Sequence, residues 1–221
     1  AYARAPFDLN RDFAPVALLA SAPFILAVHP SIPAKSLKEL IDLAKAKPGQ
    51  YSYSTPGTGS APHMAGELLK QELGIDILHV PYKGTVPAVA DVIAGNVSMT
   101  LANTLVVLPQ LKAARLRGIA ITSAQRSAMA PDLPTVAESG VRGFTSGTWY
   151  GVLAPAGTPK DIIARLNREV VRIVQLPDIR EKLAAQGAEP LTGTPEQTGE
   201  FVRSEIARWA KVVKAAGIRL D

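Results

Sequence analysis

Tyr51-Ser52-Tyr53-Ser54-Thr55-Pro56-Gly57-Thr58-Gly59-Ser60, followed by a helical pattern from Ala61 to Leu73, reads as strand, glycine-rich loop and helix in direct succession. Alternation over 51–54 is strand-like, Pro56, Gly57 and Gly59 break it, and Gly74 stops the helix. The same rhythm continues on both sides. Upstream, Ser36 and Glu39 have capping-box spacing, and Leu37, Leu40, Ile41 and Ala44 recur at helical intervals up to Pro48-Gly49. Downstream, strands are expected at 77–80, 97–101 and 118–122, with helices at 85–94 and at 104–114, the latter broken at Pro109. Strands alternating with helices across short connections indicate an α/β protein with a largely parallel sheet.

A second block starts near Gln125. It comprises a turn at Pro131-Asp132-Leu133-Pro134-Thr135, a strand over 148–153, and the rigid loop Pro155-Ala156-Gly157-Thr158-Pro159. Helices at 160–175, 178–186 and 195–215 and a strand at 189–191 follow. The most apolar stretch, Phe13 to Val28, contains Pro15 and Pro23 and is shorter than the roughly 20 residues of a membrane helix. It is expected to form two buried strands joined at Ser21-Ala22-Pro23.

Composition narrows the function classes. The chain has 221 residues, 47% hydrophobic and 19% charged, which is ordinary for a folded protein and unlike disordered, collagenous or disulfide-rich chains. With no cysteine, thiol catalysis, Cys-zinc sites and disulfides are excluded. The net charge of +5 is spread without a Lys/Arg run, and the aromatic residues are not interleaved with basic ones. Small anions are therefore better candidate partners than nucleic acid. The start, Ala1-Tyr2-Ala3-Arg4-Ala5-Pro6, has neither an initiator Met nor a basic segment leading into an apolar one, so no signal peptide is expected within these residues.

Chemistry is expected to concentrate on the loop after the 51–54 strand. A glycine-rich turn at the carboxyl end of a strand, feeding a helix N-terminus, offers backbone N–H groups and the positive end of the helix dipole to a carboxylate or phosphate. Gly57 and Gly59 allow close approach, and Ser54, Thr55, Thr58 and Ser60 add hydroxyls. The loop is neither a P-loop nor a dinucleotide fingerprint. His63, in the first helical turn, either holds the loop or touches a bound anion. His79, alternating with apolar neighbours, is expected to pack, and the spacing of His29, His63 and His79 matches no metal motif. No Gly-x-Ser-x-Gly elbow is present, so a Ser-His hydrolase is not expected, and the residues call for neither a cofactor nor a metal.

Tyr82-Lys83-Gly84, at the end of the next strand, should lie beside this loop, because ligands in parallel α/β sheets bind off the strands' carboxyl ends. Lys83 there is either a ligand cation or simply solvated. Asn103 has the same address and supplies either an amide to a ligand or the N-cap of the helix from Thr104. Trp149 either walls a cleft or packs in the core.

Five segments occur in order: Asp12-Phe13-Ala14-Pro15-Val16, 53–60 with Pro62-His63, Val80-Pro81-Tyr82-Lys83-Gly84, 131–138, and Trp149 through Pro159. Together they closely resemble the Bug-type extracytoplasmic solute receptors of tripartite tricarboxylate transporters. The resemblance covers essentially the whole chain. It implies a type II, clamshell periplasmic-binding-protein fold with mixed, mainly parallel sheets, no catalytic activity, and capture of a small carboxylate (a dicarboxylate, amino acid or aromatic acid) for a membrane permease. In such receptors two loops pinch the carboxylate. Here 54–60 matches one pincer, and Tyr82-Lys83-Gly84 and Asn103 match positions lining the cleft.

On that pattern lobe two is expected at 29–119, and lobe one combines 1–28 with 120–221. The family's further N-terminal section, which carries the other pincer, has no counterpart before Ala1. Lobe one is therefore expected to be incomplete and to expose apolar surface, with homodimerisation or element exchange as compensation. The competing reading is a transferase-like α/β enzyme binding a phosphorylated substrate at the 55–60 loop. It would need a positioned base or metal carboxylates, for which only His63 is available.

Overall fold

A computed structural model describes residues 7–219. The chain divides into two compact units: one contains the described residues up to Ala22 and from Thr148 onward, the other Pro23–Gly147. The second unit thus extends past the expected end at 119. Residues 120–147 stay with it because Ile121 N–H donates to Pro134 O, Val136 N–H to Ile121 O, and Ser146 N–H to Thr122 O. The Thr122 hydroxyl adds a 2.6 Å bond to Ser146 O.

The Pro23–Gly147 unit carries the glycine-rich loop. Its sheet has the order β3-β2-β4-β1-β5, where β1 is Phe13–Val28, β2 Ser52–Thr55, β3 Leu78–Pro81, β4 Met99–Asn103 and β5 Arg117–Ile121. β2 is parallel to β3 and to β4. β1 joins antiparallel to β4 and β5, so the sheet is mixed.

Helices α2 (Leu37–Ala46), α3 (Ala61–Leu73), α4 (Thr85–Ile93) and α5 (Thr104–Lys112) complete the unit. Ser36 caps α2, accepting from Glu39 N–H. Gly74 closes α3 in the left-handed conformation at φ 59°, as the sequence requires of a helix stop. The core gathers Ile25, Val89, Val92, Val107, Leu116 and Ile121 from both strands and helices. The expected strand at 97–101 starts at Met99 and runs to Asn103, which moves Asn103 from just past the strand to its last residue.

Phe13–Val28 is one continuous strand rather than two. Ser21 is the last residue paired with β7 (Glu189–Pro190), and Phe24 is the first paired with β4. Pro23 lies between these ladders, where its missing N–H removes no sheet bond. Its carbonyl accepts from the Thr104 hydroxyl at 2.9 Å.

The other unit contains a short helix α1 (Leu9–Asp12) that the sequence reading did not anticipate, nucleated by Asp8, whose carboxylate accepts from Asn10 and Arg11 N–H. There β1 pairs with β6 (Gly147–Pro155) and with β7. Helices α6 (Lys160–Val174), α7 (Pro177–Ala185) and α8 (Pro195–Ala216) follow, α8 opening with a capping box between Thr194 and Gln197. Asn167 Nδ2 ties α6 to the strand by donating to Val16 O and Gly193 O. On α6, Ile163 is buried while Ile162, Leu166 and Ile173 are exposed.

Candidate functional site

The parallel run β3-β2-β4 brings three strand ends to one edge. β3 ends at Pro81, β2 at Thr55 and β4 at Asn103, with Ser54 level with Val80 and Thr100. With strands spaced about 4.8 Å apart, the 82–84 segment and Asn103 flank the 55–60 loop on either side. The two loops are bonded directly: Tyr82 N–H donates to Thr55 O at 3.0 Å and Gly84 N–H to Pro56 O at 3.1 Å. Gly57 has φ +150°, and a Cβ there would lie 3.4 Å from Tyr82 O, so a side chain would press on the neighbouring loop.

The loop is largely satisfied from within. Ser60 caps α3, accepting from His63 N–H at 3.4 Å and donating to Gly57 O at 2.7 Å. Gly59 N–H donates to His63 Nδ1 at 3.0 Å, Ser60 N–H to Gly57 O, and Gly57 N–H makes a long bond to the Thr55 hydroxyl. Pro62 has no N–H to offer. The expectation of a row of free backbone donors therefore narrows: among the described residues of the loop and first turn after Pro56, only the Thr58 and Ala61 N–H groups make no hydrogen bond within the protein. Thr58 is exposed, and so is Lys83.

Ser54 and Thr55, expected to present hydroxyls to a ligand, have no exposed surface. Ser54 Oγ donates to Ala88 O at 2.9 Å and so pins α4 to β2. Thr55 Oγ1 is 2.6 Å from His79 Nε2. The Tyr82 hydroxyl is also engaged, donating to the Asp91 carboxylate; desolvation and that carboxylate push the phenol up to about 12. These side chains shape the edge from behind. Asn103 occupies the N-cap position of α5 but makes no capping bond with its side chain, so its amide is not used by the helix that it precedes. Trp149 lies in the other unit, half-buried and edge-on to the half-buried Phe201 with ring centroids 5.4 Å apart.

Behind the loop is a polar cluster that the sequence reading passed over. His63 is 5% exposed and Glu67, one turn further along α3, 8%. Glu67 Oε1 accepts from the Tyr53 hydroxyl at 2.6 Å and from Lys70 Nζ at 2.9 Å, so the buried carboxylate is paired on two sides. Burial, reinforced by Glu67, drives the Tyr53 phenol far above its ordinary value. His79 lies face to face with His63. Desolvation lowers both imidazoles, His79 to about 4, with His63 as a further cause for His79. The spacing of His63, Glu67 and Lys70 on one helix face was the available signal; the approach of His79 from another strand was not.

A separate cavity of about 590 Å³ opens at the start of β5, lined by Leu108, Leu111, Leu116, Met129, Leu133 and Arg117 among others. Arg117 is level with Val28, which pairs with Met99 at the beginning of β4, so this cavity lies at the opposite sheet edge from the loop. Its guanidinium already serves the carbonyls of Pro30, Ile32 and Ala34. Among the described residues no group of three or more His, Asp or Glu could hold a metal.

The family model for the tripartite tricarboxylate transporter family receptor matches residues 1–218. The chain belongs to that family. It is 38% identical to protein BugT of Bordetella pertussis over 97% of its own length and 66% of BugT's, so it spans just under two thirds of that relative. Among solved structures it is similar to Rpa4515 of R. palustris with adipate, at TM-score 0.82 and 38% identity, covering 99% of this chain and 73% of that one. MatC from Rhodopseudomonas palustris with bound malate is similar at TM-score 0.76 and 32% identity, over 94% of this chain and 72% of its own. The α/β fold is thus that of receptor-family solute-binding proteins, and both structures carry small dicarboxylates.

Proposed function

We propose that the protein is a periplasmic receptor that captures a small carboxylate (a dicarboxylate, amino acid or aromatic acid) without transforming it, for delivery to the membrane permease subunits of a tripartite tricarboxylate transporter. The family match over 1–218, with adipate and malate in similar structures, carries this reading. The strand-end edge supplies the matching chemistry. The Thr58 and Ala61 N–H groups at the positive end of α3, the Thr58 hydroxyl, the Asn103 amide and the Lys83 ammonium are the groups left to meet a carboxylate. Gly57, Gly59, Ser60 and Gly84 set the backbone that carries them, while Ser54, Thr55, His63 and Tyr82 hold it in place.

A transferase-like reading lacks support at this edge. The imidazole of His63 is buried with Nδ1 engaged by the loop, which leaves no positioned base for chemistry on a bound phosphate. Native mass spectrometry of protein purified without refolding tests the receptor reading. A retained small organic acid, displaced by added adipate or malate, is expected. A phosphorylated compound in its place would favour the enzyme.

A further inference from the structure

We propose that His63 and His79 are positioning residues: a stacked pair of neutral imidazoles that fastens the two ends of the 55–60 loop, so that protonation of His63 releases the loop. The proposal rests on the receptor reading above for its functional meaning, but its geometry stands independently.

The loop leaves β2 at Thr55 and enters α3 at Ser60, and each end is tied to a different histidine. His79 Nε2 holds the Thr55 hydroxyl at 2.6 Å. His63 Nδ1 accepts from Gly59 N–H at 3.0 Å. The rings themselves are stacked, centroids 3.8 Å apart and 14° from parallel, so the two ties form one unit. Because Nδ1 of His63 accepts, it carries no proton, and the neutral ring bears its hydrogen on Nε2, toward Glu67 Oε1 at 4.0 Å. Gly59 is at φ +76°, a conformation open to glycine, and its N–H is directed at His63 Nδ1.

Protonation of His63 would place a second N–H against that of Gly59, replacing an attraction with a repulsion, and would stack a cation on His79. Protonation of His79 leaves its bond to Thr55 possible, since Nε2–H then simply donates to the hydroxyl. His63 is therefore the sensitive member.

The groups facing the pair decide how readily it charges. On α3 these are Glu67, which favours the cation, and Lys70, which opposes it; on β2 there is Tyr53, with its ring 5.1 Å from that of His79. β4, Met99–Asn103, packs on α3 and contains no titratable residue. Glu67 is already committed to Tyr53 and Lys70, so desolvation dominates and the pair stays neutral at neutral pH.

The test uses ¹⁵N NMR of the intact chain, reading the His63 tautomer and Gly59 amide exchange, alongside calorimetric titration with adipate. Expected are an unprotonated Nδ1 on His63 and a protected Gly59 amide. His63→Asn, whose Oδ1 takes the place of Nδ1 and still accepts, should keep both protection and affinity while losing their dependence on pH. His63→Phe keeps the stack but not the acceptor, and should lose Gly59 protection at least about tenfold, with adipate affinity falling in parallel. A Gly59 amide that exchanges as fast in the wild type as in His63→Phe, or a His63 proton on Nδ1, overturns the proposal. If protection and tautomer are as expected but the wild type takes up no adipate or other carboxylate, the loop assignment stands and the receptor reading fails.

Discussion

His63 and His79 stack at 3.8 Å although one opens α3 and the other sits in β3, and between them they hold Gly59 and Thr55 at opposite ends of the loop. Both imidazoles are held below their ordinary value of about 6.5, chiefly by desolvation. As pH falls through that value the unfolded chain takes up protons, while the folded chain resists until the histidines' lowered values, about 4 for His79. Stability of the Pro23–Gly147 unit is therefore complete above about pH 7 and declines as pH falls from about 6.5 toward 4. Denaturant midpoints followed by far-UV circular dichroism at pH 7.5 and 5 should show this loss, reduced in His63→Asn. Both tryptophans, Trp149 and Trp209, belong to the other unit, so their fluorescence does not report on this one directly.

Gly66→Ala should destabilise the protein. A Cβ at Gly66 would lie 2.3 Å from Tyr53 Cε2, and the ring, 1% exposed and tied to Glu67, has no room to retreat. The helix propensity gained from alanine, about 1 kcal/mol, is outweighed by an overpacking cost of about 1–3 kcal/mol. A net loss is expected in chemical denaturation.

Ser60→Asp keeps the helix cap and adds a charge at the loop. Aspartate caps a helix as well as serine does but cannot donate to Gly57 O, so stability should fall by about 0.5–1 kcal/mol. The added negative charge beside Thr58 should lower carboxylate affinity at least about tenfold, equivalent to roughly 1.4 kcal/mol. Ser60→Ala loses the cap as well as the bond to Gly57 O, and should cost about 1–2 kcal/mol of stability.

Asn103→Ala should leave stability within about 0.5 kcal/mol, because its side chain makes no capping bond to lose. If its amide meets the ligand, affinity should fall by roughly 1–2 kcal/mol, about 5- to 30-fold. Stability loss without affinity loss would return Asn103 to a structural role.

Much of the fold within residues 36–122 is written locally. Ser36, Gly74 and the alternation over 51–54 act through their own backbone, so helix and strand placement follows from them. The strand-end rule also placed Tyr82 beside Thr55. What the sequence concealed lies in contacts between distant segments. Pro23 looked like a strand break because local reading cannot show that one strand passes from β7 to β4 at that point. Residues 120–147 looked like part of the other lobe because the bonds of Ile121 to Pro134 and Val136 are not local. The narrowing of the loop's free donors to Thr58 and Ala61 depends on the side chains of Thr55, Ser60 and His63 turning back on the loop. His79 was read as packing alone, since its partner lies 16 residues away on another element.

Isothermal titration calorimetry with adipate and malate at neutral pH bears most directly on the account. Saturable binding without turnover is expected, weakened in Asn103→Ala, whose fold remains intact, and in Ser60→Asp. Absence of saturable binding across dicarboxylates, amino acids and aromatic acids, or binding unchanged in both variants, would contradict a carboxylate site at this edge.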